Sequence, residues 1–477
     1  MAIITVVGAS GGQVQVTVDG SQNSTLVKQA DALSSKLSGV VDTLDVRYLT
    51  PGANNGQAGS NQAGYGVITS AGSYNVAGNA EWLSIGSDST AQPGSALAGW
   101  VNVDITKDTA QNVTVLGGTE AGISFRAGSQ SGTFLAGSGD NRFQGSNLST
   151  AGDWNILTGD GNDIIDTGAG NNTIAAGAGD NTITLGTGVN YVHSDGQDTI
   201  TATAGTQNIT LNGASSVVQV GANSLVVDNS ADGEQITVGG GSTVIGGSNG
   251  NDTSVPHTSI NLAGSTGTVI GGQLSTISAA YGDFEVSNTN AANVDVSGSL
   301  TFIRGTGVTT ITAGQTTIFG ANGLDAIVNS TAGTSLFVAN EGNETLDGAS
   351  SAFGIHAFGT TYGTGNQLFI GGSASDTLVG GVGNATMQGG TGAANVFGFR
   401  DGIAGADYTI SDFGSAAGNS VLLVNYGYSD ADLQKVLDAA THKDGNTTIT
   451  LSDQSQITFV GVDSLNTSQF NIANNIK

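Results

Sequence analysis

Cysteine is absent from all 477 residues and proline occurs three times, so neither a disulfide scaffold nor a collagen triple helix is available to this chain. Freedom from cysteine suits a protein exposed to oxidants outside the cell. Charge is scarce and one-sided: charged residues make up 10%, with five Arg and six Lys against 38 Asp and Glu, for a net charge of −27. Such a field repels phosphate backbones and anionic membrane surfaces while attracting cations, so no nucleic-acid partner is expected. No apolar run approaches the ~20 residues that span a bilayer, and no membrane insertion is expected. The segment Met1 to Gly8 lacks the basic start and apolar core of a secretory signal, and Gly8 to Gly12 interrupts it. No cleavable signal is expected there, and secretion then needs another route. What is present is glycine, 77 residues of it, with a hydrophobic fraction of 38%. That combination points to a folded, glycine-rich, all-β chain rather than a disordered one.

A period of nine is the dominant pattern. It begins loosely with AGSQSGTFL from Ala127 and AGSGDNRFQ from Ala136, and after a four-residue insertion resumes near Ser149. From Thr158 it is strict: TGDGNDIID, TGAGNNTIA, AGAGDNTIT and LGTGVNYVH. Gly159, Gly168, Gly177 and Gly186 hold the second position, Gly161, Gly170, Gly179 and Gly188 the fourth, and Ile165, Ile174, Ile183 and Val192 the eighth. Paired glycines permit a tight turn, and the eighth residue is the one a very short strand points inward. Stacked, such turns make a parallel β-roll around a column of Ile and Val. No single turn buries enough to stand alone.

These blocks resemble the nonapeptide repeats (GGxGxDxUx) of RTX proteins, the calcium-binding β-rolls exported by type I secretion. The resemblance implies calcium in the turns, held by the sixth-position Asp carboxylate and backbone carbonyls of adjacent rungs, a hard oxygen set suited to that ion. Asp163 matches the position. Asn172, Asn181 and Asn190 depart from it and offer one neutral oxygen each, which implies weaker or vacant sites; Asp160 and Asp180 lie in the same turns and compensate in part. The alternative for the three Asn is that they satisfy turn backbone. A second block, GGSASDTLV from Gly371, GGVGNATMQ from Gly380 and GGTGAANVF from Gly389, keeps an acid only at Asp376. There Ala385 and Ala394 replace the ligand, and Leu378, Met387 and Val396 continue the inward column. ANEGNETLD from Ala339 fits loosely, with Glu344 at the ligand position and Leu346 inward. The expected calcium set is therefore Asp160, Asp163, Asn172, Asp180, Asn181 and Asp376.

Between the blocks, Thr243-Val244-Ile245-Gly246-Gly247 recurs 25 residues later as Thr268-Val269-Ile270-Gly271-Gly272, which suggests a wider β-helix rung, and Gly250-Asn251-Asp252 faintly echoes the calcium turn. Residues 127–397 read as one solenoid of changing cross-section, with two sandwiches as the alternative. Leu26, Ala30, Leu33, Leu37 and Val41 recur at helical spacing after candidate caps Asn23 and Ser24, a helix expected to plug a β-domain or cap the solenoid. Gln13 to Val18 and Trp100 to Ile105 read as strands. The tail adds a strand at Ala406 to Phe413, a helix from Ser429 to Ala440 with Leu433, Val436, Leu437 and Ala440 on one face, and a hairpin burying Ile449, Leu451, Ile457 and Phe459. It resembles the uncleaved C-terminal secretion region of exported RTX and surface-layer proteins through Asp407, Ile410 and Asp412.

The expected fold is an all-β parallel β-roll/β-helix solenoid with a small α+β cap. Its segments are an N-terminal domain at 1–125, a roll at 126–201, an irregular β-helix at 202–338, a second roll at 339–397 and a secretion-like domain at 398–477. His193, His257, His356 and His442 show no metal-protease spacing, no Gly-x-Ser-x-Gly elbow appears, and Arg304 reads as a surface residue, so no catalysis is expected. The leading expectation is a secreted calcium-binding structural protein, a homo-oligomer or polymer forming a surface layer, fibre or biofilm matrix, with cell-surface polysaccharide as a candidate partner. A secreted carbohydrate-active β-helix enzyme and a monomeric adhesin are the rivals.

Overall fold

The computed structural model describes residues 2–7, 13–18, 24–56, 62–88, 90–92, 95–137, 139–230, 233–246, 258–390, 392–402 and 405–476. Two compact units divide the chain, residues 1–249 and 250–477. Gly8 to Gly12, Asn23, Gly247, the Gly250-Asn251-Asp252 turn and His257 lie outside the described residues.

In the first unit each coil is two nonapeptides. Consecutive short strands sit on opposite walls, and alternate ones pair in parallel, so Ile156, Ile174, Val192, Ile209 and Val226 stack along one wall. Phe143, Ile165, Ile183, Ile200, Val218 and Ile236 stack along the other. All of these are buried, and each contributes on the order of 1.5–3 kcal/mol only because the coils on either side cover it. An aromatic stack fills the space earlier in the unit, with Phe125 and Phe134 at 5.2 Å and Phe143 and Trp154 at 5.3 Å between ring centres. The expected 25-residue rung is not found. Leu225 pairs with Thr243, and in the second unit Ser259 pairs with Thr276 and Asp283 with Ser299, offsets of 16 to 18 residues. Two turns and two short strands around a core one side chain deep fix the coil near that length, so the repeated Thr-Val-Ile-Gly-Gly run does not measure a coil.

Helix α1 (Ser24–Val40) covers a sheet face rather than entering a core. Leu26, Ala30, Leu37 and Val41 are buried in one cluster with Leu116, Leu135 and Leu157, and Leu33 packs at its edge. Those three leucines follow the inward Val115, Phe134 and Ile156, so strand alternation turns them outward, onto the helix. The strands Ala2–Val7 and Gln13–Val18 pair antiparallel beside it.

The second unit repeats the two-wall plan with longer coils where turns carry insertions, up to the 23 residues from Glu344 to Gln367. It closes with the strand Asp407–Ile410, helix α2 (Asp430–Asp438) and the antiparallel pair Asn446–Thr450 and Gln456–Phe459. Ile449, Leu451, Ile457, Phe459 and Leu433 are buried, while Val436 and Leu437 are half-buried. Ser429 caps α2 reciprocally with Asp432, and the lone Lys435 pairs with Asp432 at 3.0 Å.

Candidate metal centre

Stacking the coils leaves no room for side chains at the turn glycines. A Cβ on Gly186 would lie 1.7 Å from the Gly168 carbonyl oxygen, and one on Gly179, whose φ is +119°, would lie 2.2 Å from the Gly161 oxygen. The carbonyls of one turn therefore approach the next turn directly, and the sixth-position side chain is the nearest polar group that enters the wall.

Those side chains form two buried columns. On one, the Asn141 N–H donates to Asp163 Oδ1 at 2.6 Å, the Asp163 N–H to Asn181 Oδ1 at 2.9 Å, and the Asn181 N–H to Asp198 Oδ1 at 3.0 Å. On the other, the Trp154 N–H donates to Asn172 Oδ1 at 2.9 Å and the Asn172 N–H to Asn190 Oδ1 at 3.1 Å. A buried turn N–H without an acceptor costs about 1–3 kcal/mol, and each coil meets that need from the next. Asn does more than Asp here, because its Nδ2 also donates: Asn172 to the Gly170 carbonyl at 3.1 Å, Asn181 to the Gly177 carbonyl at 3.2 Å.

Asp has no such donor, and the consequence is visible at Asp163. Its Oδ1 is engaged, but Oδ2 is buried with no hydrogen-bond partner, as is the hydroxyl of neighbouring Thr158. Burial pushes the Asp163 carboxyl up to about 7 against the pull of the Asn141 amide. A hard cation fits this arrangement, since the unused carboxylate oxygen, the hydroxyl and the crowded turn carbonyls are all oxygen donors. Among the described residues no group of three Asp, Glu, His or Cys comes together, so any such site draws on backbone oxygen. Asp160 is half-buried in the same turn, and Asp180 is exposed, its N–H donating to Asn162 Oδ1 at 2.9 Å. Asp376 is buried, but both its oxygens already accept backbone N–H groups, from Ile355 at 2.6 Å and Gly372 at 2.9 Å; burial pushes it up to about 6.

The second block is shifted by one residue from its expected register. Asn395, not Ala394, occupies the column: it is buried, its Oδ1 accepts the Asp376 N–H at 2.9 Å, and Phe397 rather than Val396 points inward beside Leu378. One extra residue in the turn before it moves the column, and a fixed count of nine steps past that. Ala385 does stand in the column, with Met387 inward. Asp198, Gln207, Glu234 and Glu344 are further column members; burial pushes Glu234 and Glu344 up to about 7, and each leaves one buried carboxylate oxygen unpartnered. Asp198 and Glu234 were legible as a polar residue two before an inward aliphatic, in Asp198-Thr199-Ile200 and Glu234-Gln235-Ile236.

Asp412 ties the tail to the last turns of that block, its carboxylate accepting the Gly389 and Gly390 N–H groups at 2.9 and 2.8 Å. Arg304 is exposed, with its backbone at φ +58°.

The RTX calcium-binding nonapeptide repeat matches in four copies, over residues 157–192 and 361–394. The first span contains Asp163 and both Asn columns, and the second contains Asp376. No curated protein matches the chain.

Proposed function

Taking as premise that this is an RTX-repeat protein, a β-solenoid of a family whose repeats bind calcium, we propose that it is an extracellular structural protein that folds on calcium after type I export and then self-assembles into a layer, fibre or matrix. The observation that carries the reading is Asp163: a fully buried carboxylate inside the matched repeats with one oxygen unpartnered. Calcium, when bound, supplies the positive charge and the extra coordination that this oxygen lacks. Asp163 Oδ2 and the Thr158 hydroxyl are the side-chain atoms placed to take it, and the ladder through Asn141 and Asn181 holds them in place. Without it the buried acids oppose closure of the coils, which keeps the chain open where calcium is low; binding energy then becomes folding energy. RTX repeats occur in secreted proteins, and among the described residues no helix is long and apolar enough to cross a membrane.

Assembly draws support from the outer face of the second unit. Ile303, Phe319, Val338, Phe358 and Val379 are register partners on adjacent strands and form one outward apolar row. Phe319 and Phe358 are 43% and 38% exposed, high for a ring in a row of contacts that continues over five strands. Such a row favours lateral contact between copies over a dispersed monomer. The test is to purify the chain in chelator, add millimolar calcium, and follow circular dichroism together with light scattering and negative-stain microscopy. Folding followed by ordered sheets or fibres supports the reading; a calcium-folded monomer contradicts assembly.

A further inference from the structure

Residues 143–303 contain fourteen Asp or Glu and no Lys or Arg. Any carboxylate buried in that span, if ionised, must draw its positive charge from outside the segment. At most coil corners the problem is reduced by a hydroxyl. Where a strand ends, its last inward side chain faces the sixth-position side chain of the same coil: the Ser194 hydroxyl donates to Asp198 Oδ2 at 2.5 Å, and in the second unit the Ser330 and Ser335 hydroxyls meet at 2.5 Å.

One corner breaks the pattern. Register places Asp228 two coils on from Ser194 in the same inward row, through Leu211. Glu234 stands two coils on from Asp198 in the sixth-position column, through Ser216. Asp228 thus stands to Glu234 as Ser194 stands to Asp198, with a carboxylate where the donor hydroxyl was. Both side chains are at least 98% buried, at 2% and 1% exposure. Asp228 Oδ1 accepts the Ser230 N–H at 2.9 Å and its hydroxyl at 2.5 Å, and Glu234 Oε1 accepts the Ser215 N–H at 2.9 Å. Glu234 Oε2 is buried with no partner, and Asp228 is close enough to disfavour its charge.

We propose that Asp228, Ser230 and Glu234 form a cation site of their own, outside both matched repeat spans and built from two facing carboxylates rather than from a repeat turn. All donors are oxygen, none is nitrogen or sulfur, so the cation is a hard divalent one, and calcium is the probe. The site rests on the reading that this chain meets calcium outside the cell. It would make the coils after Val189 depend on metal although they lie beyond the first repeat match.

The full-length chain is dialysed to equilibrium against calcium, and bound metal per chain is measured for the parent, Glu234→Gln and Asp228→Ser. Asp228→Ser rebuilds the hydroxyl-to-carboxylate corner seen at Ser194, so it keeps the fold even where Glu234→Gln does not. The expected result is one calcium fewer per chain in each variant, with Asp228→Ser folding at lower calcium than the parent. An unchanged calcium count in folded Asp228→Ser overturns the site and leaves the two acids sharing a proton. A parent that binds no calcium overturns both this site and the proposed function, so the two failures are distinguishable.

Discussion

Asp163 and Asn181 are joined across a coil boundary by a hydrogen bond of 2.9 Å from the Asp163 backbone N–H to the Asn181 side-chain oxygen, and the two residues hold the same place in successive coils. One therefore relates to the other as a charged and a neutral version of a single structural part. Asn closes the corner with its own donor; Asp leaves an oxygen open and a charge buried. The contrast explains how a chain with few repeat acids keeps the solenoid while confining its need for metal to particular coils.

Without calcium the protein should be more stable in mild acid than at neutral pH, the reverse of ordinary acid unfolding. Asp163, Glu234 and Glu344 are pushed up to about 7 and Asp376 up to about 6, all above the ~4 of an unfolded carboxylate. Raised acids give stability that is present in full below the unfolded value and lost as pH rises through the folded one, here between about 4 and 7. Thermal unfolding in chelator should give a higher Tm at pH 5 than at pH 8, with calcium narrowing the gap. A Tm that rises steadily from pH 5 to pH 8 in chelator contradicts the assignment.

Glycines in the turn stack should differ sharply from glycines outside it. Gly186→Ala puts a methyl against the Gly168 oxygen and should cost at least ~3 kcal/mol, because backbone rather than a flexible side chain must move. Gly221→Ala meets nothing closer than 3.8 Å and should change stability by less than ~1 kcal/mol. Denaturant unfolding of both variants in saturating calcium makes the comparison; equal effects would mean that the coils are not stacked this closely.

The one-residue shift in the second block is open to a direct check. Asn395→Ala removes the acceptor of the Asp376 N–H and should cost about 1–3 kcal/mol, whereas Ala394→Ser, at an exposed site, should be nearly neutral. If Ala394→Ser is the damaging change, Ala394 holds the column and the register is the unshifted one.

Much of this was legible from residue types alone. Ile165, Ile174, Ile183 and Val192 announce the inward column because a nine-residue period and a two-residue strand alternation agree there. The tail hairpin around Ile449 and Phe459 was legible for the same reason, since alternation survives without any partner being known. Local pattern could not place α1: the spacing of Leu26 to Leu37 gives a helix with one apolar face, but what it covers is decided by Leu116, Leu135 and Leu157, outward residues that look like surface until their neighbours are known to point in. The Asn395 column failed for a different reason, because a repeat count carries no information about an inserted turn residue. Asp228 and Glu234 were missed because their meeting depends on coil register rather than on any motif.

The central claim is that the Asp-bearing repeat turns couple calcium to folding, and calcium-dependent folding of the parent beside Asp163→Asn tests it most directly. Circular dichroism in chelator, followed by titration with calcium and a count of bound metal, should show the parent folding with calcium. Asp163→Asn, which converts that coil to the self-satisfied form of Asn181, should bind one calcium fewer and fold at a lower calcium concentration. A parent that is fully folded in chelator at pH 8, with the same calcium count in parent and variant, would contradict the account.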